Sequence, residues 1–154
     1  MTALNFRIQL PEVKGEGSEW RFAPILIALE ALTRINQWHF RRGVVPPLMS
    51  AGVRYQEEPP GREDWDDALT VAGRGWGDCE DLAAYYAAEL RENHGIGAEC
   101  VIKHKFISRE EMLRSGYQGR IPMDGIFLVH VMVRLPNGRV IDPSKILGMK
   151  GEYS

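Results

Sequence analysis

The sequence predicts an α+β fold in which helices pack on an antiparallel sheet. Apolar residues recur at helical spacing after Pro24 and again after Asp78. Two longer apolar runs, residues 99–107 and 126–135, predict strands, and the second leads into a hairpin turn. The chain has 154 residues, the usual size of a single domain, so we expect one domain over residues 1–154.

The N-terminal part, residues 1–62, should be helical and irregular. Weak alternation over residues 5–13 predicts an edge strand. Pro24 suits the first turn of a helix, which should end near Gly43 because glycine is favoured just past a helix C-terminus. Residues 44–62 contain four prolines and should form an ordered surface connection.

Residues 63–143 should hold the core of the domain. A short helix over residues 63–71 leads into a glycine-rich loop at residues 73–77. The helix that follows is the clearest element, because Asp78 is a favoured N-cap residue and acidic residues fill the first turn. Cys79 is then the first helical residue, with a backbone N–H that the helix does not use.

An insertion, residues 108–125, separates the two long strands. It begins with a capping box, Ser108-Arg109-Glu110-Glu111, which should open a short helix, and it ends in a glycine-rich loop. The strand after it is apolar on both faces, as expected of a central strand.

Composition and charge argue against several classes of function. The net charge is −2 and the chain has no basic run, so we expect no nucleic-acid partner. No apolar stretch approaches the ~20 residues of a membrane span, and the first ten residues lack a secretory pattern, so we expect a cytoplasmic protein. The cysteines and histidines lack zinc-site spacings such as Cys-x-x-Cys, so we expect no metal and no cofactor.

Cys79 is the candidate nucleophile. A thiol reacts as its thiolate, so its ordinary pKa, near 8.5, must be lowered. The helix N-terminus stabilises the thiolate by about 0.3–1 kcal/mol, but Asp78, Glu80 and Asp81 oppose ionisation. A histidine in contact shifts a cysteine pKa by several units, so the partner histidine decides whether the thiol works.

Four histidines compete for this role. His39 lies near the end of an amphipathic helix, which predicts a surface or capping position. His94 lies at a helix C-terminus, where a cation is favoured for structural reasons, and His104 lies among lysines in the first strand. His130 lies in the apolar strand, where a buried imidazole needs partners. Either it is a satisfied core histidine, or it has a functional partner such as an aspartate.

Asp142 is the candidate partner of His130, and the register of the hairpin decides whether the two meet. A two-residue Asn-Gly turn would place Asp142 on the opposite face of the sheet. A three-residue loop, Pro136-Asn137-Gly138, pairs Leu135 with Arg139 and makes Asp142 a diagonal neighbour of His130, within side-chain reach. Proline first and glycine last suit a type I turn closed by a glycine bulge, so we predict this register.

The run Gly77-Asp78-Cys79-Glu80-Asp81-Leu82-Ala83, followed by a strand histidine and an Asp-Pro pair, resembles the transglutaminase-like superfamily. The resemblance covers about residues 65–143. It implies a papain/transglutaminase-like core, with the cysteine at the start of a helix packed on an antiparallel sheet that carries the histidine and the aspartate. It also implies that Cys79 is the nucleophile, His130 the general base and acid, and Asp142 the group that orients the imidazole.

The same resemblance implies two donors to the oxyanion that forms during catalysis. The backbone N–H of Cys79 is the first, because a first-turn amide is free to stabilise a negative oxygen. The second would be an upstream polar or indole side chain. Four residues qualify, although the sequence favours a packing role for Trp65: Gln37, Trp38, Gln56 and Trp65.

The implied function is that of a cysteine peptidase or amidase acting on a protein or peptide substrate. A thiolate attacks a peptide or side-chain amide, a thioester forms, and water releases the acid. A protein-crosslinking acyltransferase would use the same triad, and a non-catalytic interaction module would use the same fold; the small size of the chain favours hydrolysis. Papain-like cell-wall endopeptidases usually have serine and glycine after the cysteine, whereas this chain has Glu80 and Asp81.

Overall fold

The computed structural model describes residues 22–59, 63–119 and 121–151. The strand expected over residues 5–13 lies outside this part of the chain. Helices and strands occur in this order: α1 (Ala23–Arg41), a 3₁₀ turn (Leu48–Ser50), β1 (Arg54–Tyr55), α2 (Ala68–Arg74), β2 (Trp76–Gly77), α3 (Cys79–His94), β3 (Glu99–Ile107), α4 (Arg109–Arg114), β4 (Ile126–Arg134), β5 (Val140–Ile141) and α5 (Pro143–Ile146).

The predicted α+β class is confirmed. Helices pack against a three-stranded antiparallel sheet of order β3-β4-β5, so β4 is the central strand, as its apolar sequence predicted. A second, smaller sheet consists of β1 and β2, which pair in parallel with Tyr55 beside Gly77. Strand β2 ends at Gly77, two residues before α3 begins at Cys79.

Helix α1 begins and ends close to the predicted positions. Proline lies in its first turn, and Gly43 follows its C-terminus with a positive φ of 63°, a conformation that glycine adopts without a side-chain clash. The helix packs against α3 and contacts β3. A salt bridge between Glu30 of α1 and Arg91 of α3, 2.8 Å long, ties the two helices together.

Helix α3 is capped at both ends as the sequence predicted. The side chain of Asp78 accepts from the N–H of Asp81, and Gly95 closes the helix with a φ of 63°. Its alanines are fully buried and let the helix approach its neighbours closely: Ala83, Ala84, Ala87 and Ala88. One face packs on β4 through Val131 and Val133, and the other packs on α2 and the 3₁₀ turn.

The segment between α1 and α3 differs from its prediction. The short helix starts at Ala68, not at residue 63, because the side chain of Asp67 caps it by accepting from the N–H of Thr70. It continues to Arg74 and ends at Gly75, whose φ is 80°. The last two residues of the predicted glycine-rich loop form β2, because β1 offers them backbone partners.

The C-terminal part adds a short helix that the sequence analysis did not identify. Asp142 ends the β5 segment and caps α5, with its Oδ1 accepting from the N–H of Lys145 at 3.2 Å. Proline occupies the first turn of α5, the position it favours. None of the described helices is long and apolar enough to cross a membrane.

Candidate functional site

The thiol of Cys79 lies at the first position of α3 and is largely buried, with 8% of the residue exposed. Its Sγ donates to Oε2 of Glu80 at 3.1 Å. The backbone N–H of Val131, on β4, faces the sulfur. The contacts of the thiol therefore come from its own helix turn and from the central strand.

The ionisation of this thiol is opposed by its surroundings. Burial raises the pKa of Cys79 far above its ordinary value, and the charge of Glu80 raises it further. The N–H of Val131 acts in the other direction, because it stabilises the thiolate, but it does not outweigh them. In this arrangement Cys79 is a neutral thiol at physiological pH.

His130 and Asp142 meet as the predicted register requires. Val133 pairs with Ile141 and Arg134 with Val140, which sets Leu135 opposite Arg139. The three-residue turn is confirmed by the hydrogen bond from Gly138 N–H to the Leu135 carbonyl and by the positive φ of Gly138, 84°.

The side chains of this pair make a direct hydrogen bond. The Nε2 of His130 lies 2.9 Å from Oδ2 of Asp142, with the imidazole N–H donating to the carboxylate. His130 is only 4% exposed, so this bond satisfies a buried polar group. Asp142 is fixed in turn by its second oxygen, which caps α5. The carboxylate therefore orients the imidazole from a rigid position.

The structure places Cys79 against the backbone of the residue that follows His130, without a bond between the thiol and the imidazole. Val131, whose N–H faces the sulfur, directly follows His130 on β4. Among the described residues, however, Cys79 donates to Glu80 and His130 bonds Asp142, and no hydrogen bond links the thiol to the imidazole. Because Nε2 is engaged by Asp142, Nδ1 is the ring nitrogen that would exchange a proton with the thiol.

Acidic residues surround the start of α3. Burial and the charge of Glu80 raise the pKa of the Asp78 carboxyl well above its usual range. Asp81 is fully buried, and burial raises the pKa of its carboxyl, although the Arg74 guanidinium, with Nη2 2.7 Å from the carboxylate, acts to lower it. Arg74 also contacts Asp66 and lies over the ring of Trp76, 3.7 Å from its centroid. This guanidinium is therefore occupied by structural partners.

Tyr55 is a residue of this neighbourhood that the sequence analysis missed. It is half-buried and packs against the hydrophobic cluster that contains Cys79. Burial raises the pKa of its phenol, and negative charge on Glu57, Cys79, Asp78 and Glu80 raises it further. No periodic signal marks a two-residue strand, so the sequence gives little indication that Tyr55 packs against the cluster that contains Cys79.

The four side chains predicted as candidate donors to the oxyanion have different surroundings in the structure. Trp65 is half-buried and packs against the cluster that contains Cys79. The amide oxygen of Gln56 accepts from Arg54 at 3.1 Å. Trp38 is half-exposed, and Gln37 donates to Glu92 near the far end of α3. Among the described residues, Trp65 is the one of these four that packs against the hydrophobic cluster containing Cys79.

The other histidines occupy structural positions. The expectation that His39 lies on the surface or caps a helix is wrong: it is buried, and its Nε2 bonds Oδ2 of Asp67 at 2.8 Å, because α2 packs over that face of α1. His104 packs against the rings of Phe22 and Phe127. His94 is the exposed last residue of α3.

Neither cysteine is in a disulfide. Cys100 lies on β3, where Thr33 Oγ1 is 3.7 Å from its sulfur. Within residues 22–59, 63–119 and 121–151, no group of three or more His, Cys, Asp or Glu side chains is arranged to hold a metal ion.

Comparison with protein-family models, with curated proteins and with solved structures gives no match for this chain. The function must therefore be argued from the site itself.

Proposed function

We propose that this chain is a cysteine hydrolase of the transglutaminase-like kind, which cleaves a peptide or side-chain amide through a thioester. One observation carries the proposal: the His130–Asp142 hydrogen bond lies next to Val131, whose N–H faces the sulfur of Cys79 at a helix start. A buried histidine oriented by a carboxylate, beside a thiol, is the arrangement that a cysteine nucleophile needs.

The same proposal includes the assignment of the fold to a papain/transglutaminase-like core. The helix that begins with Cys79 packs on the strand that carries His130, and Asp142 follows at the end of the next strand. This order is that of a papain/transglutaminase-like core. The short α4 and the loop after it would then be an addition to that core.

The reaction would proceed in two acyl-transfer steps. His130 takes the proton of Cys79 through Nδ1, and the sulfur attacks the amide carbonyl carbon while the π electrons move to the oxygen. The backbone N–H of Cys79 donates to that oxygen. The C–N bond breaks as the imidazolium protonates the leaving amine. Water then attacks the thioester with His130 again as base, and the C–S bond breaks to release the acid while His130 returns the proton to the sulfur.

The role of Asp142 in these steps is to hold the imidazole. Its Oδ2 accepts from Nε2, which fixes the tautomer with an available Nδ1 and stabilises the imidazolium when it forms. Because burial and Glu80 keep the free thiol neutral, proton transfer to His130 must accompany closer approach of the two side chains. Resting hydrogen bonds in such sites are often long or absent.

A specific observation favours a second candidate function, a non-catalytic interaction module on this fold. Cys79 and His130 are both largely buried, and the thiol donates to Glu80 rather than to the imidazole. A thiol of this kind would be an inert core residue. The two functions predict different thiol chemistry, so one experiment separates them.

The experiment is alkylation with iodoacetamide across pH, with mass spectrometry to locate the modified cysteine. A hydrolase should be modified selectively at Cys79 below pH 7, and this selectivity should be lost in His130→Ala and weakened in Asp142→Asn. His104→Ala is the matched control, because it removes a strand histidine that packs against Phe22 and Phe127. Equal modification of Cys79 and Cys100 near pH 8.5 would contradict the proposal.

The products of turnover would separate hydrolysis from acyl transfer. Once a cleavable substrate is found, adding a primary amine should leave the free acid as the main product of a hydrolase. Incorporation of the amine in place of water would assign the crosslinking alternative, which uses the same three residues.

A further inference from the structure

We propose that the Tyr55 hydroxyl is the side-chain hydrogen-bond donor to the oxyanion formed when Cys79 attacks a carbonyl. The inference rests on the proposed function and names a catalytic residue that the motif does not contain. It is carried by the backbone partners of Tyr55, by its packing and by the charges that act on its phenol.

The backbone of Tyr55 is bonded to both segments that build the site. In the β1–β2 pair it lies beside Gly77, two residues before Cys79, and the N–H of Gln56 donates to the Gly77 carbonyl at 3.0 Å. The N–H of Tyr55 itself donates to the carbonyl of Leu147 at 2.9 Å, just after α5. Tyr55 therefore lies between the segment that leads to the nucleophile and the segment that leaves Asp142.

The side chain of Tyr55 reaches the nucleophile's surroundings. Its ring packs against the cluster that includes Cys79, Ala83 and Val131. Burial is the main cause that raises the pKa of the phenol, and negative charge on Glu57 and on Cys79 acts in the same direction. A phenol that keeps its proton beside a developing negative charge is a hydrogen-bond donor.

The strand alternation separates Tyr55 from its neighbour Gln56. Successive side chains of a strand point to opposite faces, and Gln56 accepts from Arg54 through its amide oxygen. Gln37 bonds Glu92, which lies thirteen residues, or about 20 Å of helix, beyond Cys79. Trp65 is the remaining competitor, because it packs against the same cluster.

The phenol acts without losing its proton. As the S–C bond forms, the carbonyl π electrons move onto oxygen, and the Tyr55 O–H and the Cys79 N–H both donate to it. In the resting structure the hydroxyl lies 3.5 Å from Oε1 of Glu57, a contact that the oxyanion would replace. When the carbonyl re-forms, the leaving group departs with the proton held by His130, and the phenol returns to its resting partners.

Two probes that modify the same sulfur test this role. Iodoacetamide alkylates by displacement at a methylene carbon, so no negative charge develops on an oxygen that the Tyr55 hydroxyl and the Cys79 N–H would contact. Acylation by p-nitrophenyl acetate passes through an oxyanion. Tyr55→Phe should slow the p-nitrophenolate burst by about 10²-fold, the usual effect of losing one oxyanion donor, while the alkylation rate of Cys79 stays within about twofold of the parent.

Tyr86→Phe is the matched control. Tyr86 is a half-buried tyrosine that packs against the same cluster, and its phenol responds to Glu89 and Arg139 rather than to Cys79. The Tyr86→Phe variant should leave both the acylation rate and the alkylation rate unchanged. The ratio of acylation to alkylation within each variant corrects for any loss of folded protein, since unfolding lowers both.

Each remaining outcome decides the matter. Equal slowing of both reactions in Tyr55→Phe would give Tyr55 a purely structural role, and an unchanged burst would overturn the inference. A selective loss in Trp65→Phe with normal Tyr55→Phe would assign the donor to Trp65. If the parent protein shows neither a burst nor selective alkylation of Cys79, the proposed function itself fails, a result visible without any variant.

Discussion

The acidity of Cys79 is set by a few atoms around its sulfur. A helix N-terminus supplies about 0.3–1 kcal/mol toward the thiolate, and the Val131 N–H adds to it, but burial and the Glu80 carboxylate prevail. The residue that follows the nucleophile therefore works against it in the resting state. Removing that charge should reveal how strongly it acts.

We predict that Glu80→Gln lowers the pKa of the Cys79 thiol and speeds its alkylation at pH 7 by about tenfold, the equivalent of one pKa unit. The reason is that Glu80 lies 3.1 Å from the sulfur and opposes its charge. The rate of iodoacetamide reaction against pH measures the shift. Glu110→Gln, in the first turn of α4, is the control; an unchanged profile for Glu80→Gln would refute the assignment.

At the level of elements, the hairpin between β4 and β5 positions the His–Asp pair. A one-residue slip would move Asp142 to the other face of the sheet and separate it from His130. In the three-residue turn Leu135 lies opposite Arg139, whereas an Asn-Gly turn would place Pro136 there, and the φ of 84° at Gly138 allows the longer turn.

We predict that Gly138→Ala destabilises the protein by about 1 kcal/mol or more, because an L-residue is strained at positive φ. No neighbour lies within 4 Å of the added carbon, so the cost is conformational. Urea unfolding measures it. Gly73→Ala, in the exposed part of α2 and equally free of contacts, should instead stabilise by about 0.5–1 kcal/mol. Equal effects of the two would contradict this account.

Two helices have N-cap aspartates whose pKa values are shifted in opposite directions by their surroundings. Burial and Glu80 raise the pKa of Asp78. Burial also acts to raise the pKa of Asp67, but hydrogen bonds from Thr70 and His39 outweigh it and lower the pKa. The same residue type, placed as an N-cap in both helices, therefore has a lowered pKa in α2 and a raised pKa in α3.

The directions of these two pKa shifts predict how stability depends on pH. The raised pKa of Asp78 means that its stabilising contribution is full below about pH 4, the unfolded pKa, and is lost as the pH rises toward the folded value. Asn keeps the cap without the charge. The stability of Asp78→Asn relative to the parent should therefore increase between pH 5 and 8, by about 1 kcal/mol or more, in urea titrations.

Asp67→Asn is the comparison for this prediction. The lowered pKa of Asp67 means that its contribution is present above about pH 4 and is lost as the pH falls through the folded value. This variant should be less stable than the parent at neutral pH, with a difference that stays constant between pH 5 and 8. A parallel slope for the two variants would show that Asp78 is not the titrating group.

Across the whole molecule, α3 is the element that connects the two parts of the core. One hydrophobic cluster contains Leu82, Tyr85 and Ala88 together with residues of α2 and the 3₁₀ turn. The other contains Cys79 and Ala87 with the valines of β4. The small alanine side chains let the helix pack closely on the sheet.

We predict that Ala87→Leu costs about 1–3 kcal/mol of unfolding free energy, because three extra carbons must enter a fully buried helix–sheet contact. Ala31→Leu, on the exposed face of α1, makes the same substitution where space is available and should change stability by less than about 0.5 kcal/mol. Thermal or urea unfolding compares them. A well-tolerated Ala87→Leu would show that the contact is looser than the structure describes.

Much of the local structure follows from short-range signals. The capping residues and stop glycines predicted α1, α3 and α4 to within two residues, and the turn residues predicted the register at Asp142. The start of α2 was wrong because the Asp67 cap was not recognised. The β1–β2 pair and α5 were missed because elements of two to four residues are too short for a periodic pattern.

The sequence by itself determined that Cys79 starts a helix and that His130 and Asp142 share a face of the sheet, because caps and tight turns depend on residues a few positions apart. Only the tertiary structure decided what surrounds the sulfur. The N–H of Val131 faces it and Tyr55 packs against the cluster around it, both from distant parts of the chain, and burial, the main cause of its raised pKa, is a property of the packed molecule. No local pattern encodes such contacts, because they arise when α3 packs on β4 and beside the β1–β2 pair.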